Sequence, residues 1–134
     1  MKVFADTSYW IALVLPGDQW AGAVGRLEPL IAKVPMVTTD EVLTELLAAL
    51  SGKGARSRQM AAAFVRSVLA NPRVTVVHQS HGSFLEGLTL YERRLDKGYS
   101  LVDCISMNVM RKMRIRQALT NDRHFAQEGF TVLR

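Results

Sequence analysis

The amino-terminal stretch Lys2-Val3-Phe4-Ala5-Asp6-Thr7-Ser8 decides how the rest of the chain is interpreted. Residues 2–5 are a short β-prone run and predict a buried strand. The strand ends at an acidic residue that two hydroxyl side chains follow. In an open α/β sheet, ligands bind outside the carboxyl ends of the strands. Asp6 is therefore the first candidate functional residue.

The remaining strand candidates are separated from one another by segments with helical periodicity. They are residues 37–38, 74–77, 118–120 and 131–133. Strands that alternate with helices, rather than pairing through two-residue turns, predict a parallel sheet with helices on both faces. The fold class is α/β, with breaks at Pro16-Gly17, Gly52-Lys53-Gly54, Asn71-Pro72 and Gly98.

Four helical segments carry an apolar stripe that is expected to face the core. The stripes are Leu43/Leu46/Leu47/Leu50, Met60/Phe64/Val68, Phe84/Leu88/Tyr91/Leu95 and Val102/Ile105/Val109/Met113.

Composition excludes several classes of protein. The 134 residues contain one Cys, so neither an internal disulfide framework nor a cysteine zinc cluster is expected. No apolar stretch approaches the roughly 18 residues of a membrane span, and an acid stands at position 6, where a secretory signal would continue. We expect a cytoplasmic protein. The net charge of +5 points towards a polyanionic partner such as nucleic acid.

Three further acids join Asp6 as candidates, and each has a structural alternative. Asp122 follows the strand candidate at 118–120, where a turn residue is common. Asp103 is the fourth residue of Ser100-Leu101-Val102-Asp103, the spacing of a capping box. Asp6 itself stands where an N-cap is preferred.

Glu45 lies within a helical segment, on a face away from the leucine stripe. The capping box that we predict for this helix pairs Thr38 with Glu41 and gives Glu45 no structural role. On the helix surface Glu45 lies between Ala48 and Ala49. This face is either solvated or the small-residue wall of a cleft.

Several carboxylates without a His or Cys partner are typical of sites for hard cations. Mg²⁺ and Mn²⁺ prefer oxygen ligands, and a cation removes the repulsion within such a cluster. One or two ions of this kind hold a phosphodiester and lower the pKa of a bound water. The chemistry that follows is phosphodiester hydrolysis.

Other chemistries find less support. The sequence lacks a glycine-rich phosphate loop and a G-x-S-x-G nucleophile elbow. His78 and His81 have no third zinc ligand nearby. His124 either contacts phosphate or has a surface or capping role, and Cys104 is expected to be a buried small hydrophobe. Asp96 either ends its helix or adds charge near Asp103.

The order of these segments resembles the PIN-domain ribonucleases, most closely the VapC-type toxins of toxin–antitoxin modules. The matching pieces are Val3–Ser8, Thr44-Glu45-Leu46-Leu47, Ser100–Cys104 and Thr120-Asn121-Asp122-Arg123-His124-Phe125. The resemblance covers essentially the whole chain. It implies a single PIN domain over residues 1–134, a three-layer sandwich with a central, mostly parallel sheet of four to five strands.

The resemblance also implies an activity, a Mg²⁺- or Mn²⁺-dependent endoribonuclease in which water attacks without a covalent intermediate. Asp6 and Asp103 would be the primary metal ligands, and Glu45 and Asp122 would complete the acidic pocket. Thr7 and Ser8 would hydrogen-bond the ligands or the phosphate.

The partners that the resemblance implies are an RNA substrate, a cognate antitoxin protein and a second copy of the chain, with no membrane. Basic side chains would guide RNA or receive the acidic part of a partner: Arg56, Arg58, Arg93, Arg94, Arg111, Lys112, Arg114 and Arg116. The alternative function is a catalytically inactive PIN-like module that binds RNA or an antitoxin. An aspartyl-nucleophile phosphatase is disfavoured because Ser8 stands where its second acid would be.

Overall fold

The structure is a computed structural model that describes residues 1–15 and 17–134. Its strands are β1 (Val3–Ala5), β2 (Met36–Thr39), β3 (Val74–Val77), β4 (Gln117–Leu119) and β5 (Thr131–Leu133). Its helices are α1 (Thr7–Val14), α2 (Ala21–Ile31), α3 (Asp40–Leu50), α4 (Ala55–Ala70), α5 (His81–Arg93), α6 (Leu101–Lys112) and α7 (His124–Gln127). Of the break predicted at Pro16-Gly17, Pro16 lies outside the described residues.

The strands form one sheet in the order β3-β2-β1-β4-β5, and every pairing is parallel. The α/β prediction is confirmed, and the sheet has the upper of the two strand numbers predicted. The chain moves outward from β1 to β3 on one side and then returns to the other side of β1. The sheet order therefore reverses between β1 and β4, where the carboxyl ends of adjacent strands leave a crevice for ligands.

The helices form two groups. Contacts join α1 to α2 and α3, and α3 to α4, whereas α5 packs on α6 and α6 on α7. Right-handed crossovers place the first group on one face of the sheet and the second on the other. Gly87 lets α5 approach α6 closely, because a Cβ atom added there would lie 2.6 Å from Cγ1 of Ile105.

The core lies on both faces of β1, where Val3, Phe4 and Ala5 are fully buried. The ring of Phe4 stacks on that of Phe125 at a centroid distance of 6.4 Å. Cys104 is fully buried, as its interpretation as a small hydrophobe predicts. No helix in the described ranges is long and apolar enough to cross a bilayer.

The prediction that all four apolar stripes face the core is wrong for α5. Phe84, Leu88 and Tyr91 are between 38% and 48% exposed, and Leu95, beyond the helix end, is 86% exposed. The side of α5 that packs on α6 instead carries Gly87 and Leu90. Smaller departures are Leu47 on α3 and Met60 on α4, which are also exposed. Periodicity detects an apolar face, but it does not show what covers that face.

The capping box predicted from Thr38 and Glu41 is also wrong by one residue. Thr39 is the N-cap of α3, and its hydroxyl accepts from the amide of Val42 at 3.0 Å. Thr38 remains in β2, where its buried hydroxyl donates to the carbonyl of Ala5 at 2.8 Å. Thr38 is thus a link between strands β2 and β1 rather than a helix cap.

Candidate functional site

Asp6 lies at the crevice between β1 and β4. The parallel register pairs Ala5 with Leu119, so the next residues, Asp6 and Thr120, leave the sheet side by side. The Thr120 hydroxyl donates to Oδ2 of Asp6 at 2.8 Å. Asp6 occupies the N-cap position of α1, but its carboxylate makes no capping hydrogen bond. The side chain is therefore held by Thr120, and the carboxylate does not cap the start of α1.

Glu45 faces the same crevice from α3. It is half-buried, and its Oε1 accepts a hydrogen bond from the hydroxyl of Thr7. The cleft alternative for this residue is therefore correct and the solvated one is wrong. The neighbouring hydroxyl of Ser8 accepts from the amide of Asn121 at 3.0 Å and lies 3.3 Å from the Thr120 hydroxyl. Thr7 thus holds Glu45 directly, and Ser8 contacts the hydroxyl that holds Asp6.

Asp103 is both a cap and a member of the acidic group. Its Oδ2 accepts from the amide of Ser100, and its own amide donates to the Ser100 hydroxyl, each at 3.0 Å. The capping box predicted from spacing is confirmed. It orients the carboxylate at the start of α6, and this structural role is compatible with the metal-binding role that remains a prediction.

Asp122 completes the group from the loop after β4. Its Oδ1 accepts from the amide of His124 at 2.9 Å and lies 3.2 Å from Nδ1 of the same residue. That Nδ1 atom is also 3.1 Å from Oδ2 of Asp103. Because both neighbours are acceptors, Nδ1 is the ring nitrogen that carries hydrogen, and His124 bridges the two carboxylates.

The electrostatics of the crevice disfavour its charged state in the absence of a cation. Burial raises the pKa of Asp6 to about 7, against hydrogen bonds from the backbone amide of Thr7 and the hydroxyl of Thr120 that lower it, and the charges of Asp103 and Glu45 raise it further. Burial also raises the pKa of Glu45, and the charges of Asp103 and Asp122 act in the same direction. A divalent cation would relieve this cost.

The donor set fits such a cation. Within the described ranges, Asp103 and Asp122 each use a single oxygen for their side-chain hydrogen bonds, Oδ2 and Oδ1 respectively. Glu45 likewise uses Oε1. The second oxygen of each remains for a ligand, and hard cations prefer carboxylate oxygens.

The structure brings the four predicted acids to one crevice, although they are not equally close together. Single ligand atoms of Asp103, Asp122 and His124 all lie within 4.8 Å of one another. Asp6 and Glu45 are outside that triplet and interact with it through charge. Sequence reasoning missed Thr120, and for His124 it offered phosphate contact or a surface or capping role but not a contact with Asp103. The signal was present in Thr120–Phe125, where the polar residues follow a strand end directly.

Another carboxylate, that of Glu128, lies next to the crevice and is paired with two arginines. Its side chain is 5% exposed and accepts from Arg94, Arg111 and the hydroxyl of Tyr99. These hydrogen bonds lower the pKa of Glu128 to about 2. The ring of Tyr99 lies 5.2 Å from that of His124, so this network adjoins the acidic crevice. Asp96, in contrast, is exposed beside Lys97.

The chain is similar to known proteins along most of its length. The family model of the PIN domain matches residues 3–130. The chain is 33% identical over 133 residues, covering 98% of each chain, to the 23S rRNA-specific endonuclease VapC20 from two strains of Mycobacterium tuberculosis.

Two crystal structures share the fold. That of M. tuberculosis VapC20, described as a toxin that cleaves the sarcin-ricin loop, superimposes with a TM-score of 0.84 at 30% identity over 96% of both chains. Rickettsia felis VapBC2, bound to a DNA fragment from its promoter, gives a TM-score of 0.68 at 15% identity over 98% and 97% of the chains. From the family match and the extent of the identity to VapC20, the chain belongs to the PIN-domain family.

Proposed function

We propose that this protein is a metal-dependent endoribonuclease that hydrolyses RNA phosphodiester bonds and acts as the toxin of a toxin–antitoxin pair. The observation that carries the proposal is the crevice itself, in which buried acids with raised pKa values converge at the point where the sheet order reverses. Such a set of carboxylates is suited to a divalent cation.

The metal would be Mg²⁺, with Mn²⁺ as a substitute. Asp6 and Asp103 would be its primary ligands, and Asp122 would add an oxygen from the other side of the crevice. When bound, the cation would supply charge stabilisation to the phosphate and acidify water. His124 would hold Asp103 and Asp122 in place, as Thr120 holds Asp6.

Glu45 would act on the attacking water. Its Oε1 is fixed by Thr7, and a raised pKa makes its other oxygen a better proton acceptor than an ordinary carboxylate. Glu45 would therefore orient the water and accept its proton at Oε2. Asp122 would share in this orientation from the opposite wall.

Ribosomal RNA is the substrate class that we propose, because a relative that matches 98% of the chain is named for 23S rRNA. The test is cleavage of intact ribosomal RNA and of an unrelated messenger RNA by the pure protein with Mg²⁺, with Mn²⁺ and with EDTA. We expect cutting of ribosomal RNA that depends on metal.

Matched variants identify the site of that activity. Asp6→Asn and Asp103→Asn keep the size of the side chain and should abolish cutting, whereas Asp96→Asn removes an exposed acid outside the crevice and should not. If the folded protein cuts no RNA with any metal, the inactive binding module becomes the better interpretation.

A cognate antitoxin and a cytoplasmic location complete the proposal. A ribonuclease toxin acts where RNA is, and it needs an inhibitor during growth. The acidic crevice is suited to receive a cationic side chain from such an inhibitor.

We also propose that a second copy of the chain covers the exposed apolar side of α5, formed by Phe84, Leu88 and Tyr91. Leu88→Lys should convert a dimer to a monomer in light scattering. The matched control is Leu69→Lys, which changes an exposed leucine on α4 and should leave the mass of the dimer unchanged. A monomeric parent protein would contradict this part of the proposal.

A further inference from the structure

A groove of about 420 Å³ runs between α5 and α6 on the side of the molecule next to Glu128. Four cations line it, Arg93 and Arg94 at the end of α5 and Arg111 and Lys112 at the end of α6. Asn108 adds a polar side chain to the floor. Glu86, Thr89 and Leu90 complete the lining, and the four cations make the groove suitable for an anionic chain.

The cations of the groove are only partly balanced. Glu128 pairs with Arg94 and Arg111, and Glu86 pairs with Lys112. Arg93 has no acidic partner within the described ranges of the chain. Four cations thus face two carboxylates. Favourable placement at helix ends explains part of this arrangement, but it does not explain why two helix ends bring their cations to one groove.

The groove adjoins the acidic crevice through a short chain of contacts. Glu128 accepts the hydroxyl of Tyr99 at 3.0 Å, the ring of Tyr99 lies against His124, and His124 reaches Asp103. If the reacting phosphate of a polyanion lies among the acids, the cations of the neighbouring groove can contact other phosphates of the same strand. That neighbourhood would offset the repulsion between the crevice and the rest of the strand.

The groove also stays open in the dimer proposed above. At 100° per residue, Arg93 lies about 180° around α5 from Phe84, on the side opposite the apolar stripe. A second copy seated on that stripe would leave the groove accessible to a long ligand.

We propose that the α5–α6 groove binds the phosphate backbone of the RNA strand that flanks the cleavage point. This inference rests on the proposed function and deepens it by assigning the path of the substrate. Arg93 and Lys112 would contact phosphates, whereas Arg94 and Arg111 would chiefly hold Glu128. Such contacts carry affinity without base specificity.

The test measures binding without cleavage, with EDTA present and a short fluorescein-labelled single-stranded RNA as the probe. The double variant Arg93→Gln/Lys112→Gln removes two charges from the groove. The control Arg26→Gln/Lys33→Gln removes two exposed charges in and just after α2, a helix that packs on α1 rather than on α5 or α6. We expect the groove variant to lose roughly tenfold in affinity, and its salt slope to fall by about 1.4, at about 0.7 per phosphate contact on a single strand.

Equal losses in both variants would indicate a general charge effect and overturn the proposal, as would unchanged RNA affinity in the groove variant. A groove variant that binds RNA normally but no longer binds an acidic peptide would assign the groove to a protein partner instead. If the parent protein binds the probe through the groove and cuts no RNA with metal, the proposed activity fails while the groove assignment stands.

Discussion

The carboxylates of Asp6 and Glu128 are both buried, yet their surroundings shift their pKa values in opposite directions. Asp6 has a pKa near 7, because burial and two neighbouring acids disfavour its charge. Glu128 has a pKa near 2, because two arginines and a tyrosine hydroxyl favour its charge. The chain supplies every partner that Glu128 needs. Within the described residues, no Lys or Arg forms an ion pair with the acids of the crevice, which is the expected condition of a site that binds a cation from solution.

The largest expected difference between the two regions is in activity. Glu45→Gln removes the proton acceptor from the crevice and should lower RNA cleavage by roughly 100- to 1,000-fold. The change leaves a hydrogen-bond acceptor for Thr7 and should not lower the melting temperature. Initial rates with saturating Mg²⁺, together with thermal unfolding, check both parts. A variant that retains most of its activity would remove Glu45 from the mechanism.

The paired carboxylate should instead dominate stability. Glu128→Gln removes the negative charge and one of the two acceptor oxygens that Arg94, Arg111 and Tyr99 share, and should lower the free energy of unfolding by about 3 kcal/mol. The folded pKa of Glu128 is below the unfolded value of 4.5, so its contribution is fully present above that pH and is lost as the pH falls towards 2. Urea unfolding of parent and variant from pH 3 to pH 7 measures this window. Equal stability at neutral pH would contradict it.

The unpaired carboxylate should show the opposite pH dependence. The folded pKa of Asp6 is above its unfolded value of 3.8, so the charge of Asp6 destabilises the metal-free protein progressively as the pH rises from about 4 to 7. Asp6→Asn should therefore stabilise the metal-free protein by roughly 1–3 kcal/mol above pH 7 and by nothing near pH 3. Melting temperatures in EDTA test the sign. A destabilised variant at pH 8 would show that Asp6 is structurally paired after all.

The smallest expected effect is on metal affinity and concerns His124, which we interpret as a residue that positions the acids of the crevice. His124→Ala removes the donor that bridges Asp103 and Asp122 and should weaken Mn²⁺ binding about tenfold. His124→Asn keeps a side-chain N–H near the position of Nδ1 and should retain most of the affinity. Calorimetric titration and the electron paramagnetic resonance of free Mn²⁺ report binding directly. Similar affinities for both variants would argue against the bridging role.

The sequence was sufficient for the fold and for the acids of the crevice, because both depend on local patterns. Strand ends, the capping spacing at Ser100 and the helical period are visible in short windows. What covers a face depends on distant packing, so the exposed stripe of α5 was not predictable. The contact of His124 with the acids was not predictable for a similar reason, since only the folded chain brings it between Asp103 and Asp122.

The hydrogen bond from Thr120 to Asp6 joins residues 114 positions apart. β4 is the strand that closes this distance, and it begins only at Gln117. A nascent polypeptide that still lacks β4 can pair β1 with β2 but cannot assemble the crevice. Long-range closure of this kind is slow relative to local folding. During translation, Asp103 and Asp122 therefore join Asp6 and Glu45 only after β4 has been synthesised, and the crevice is completed late in folding.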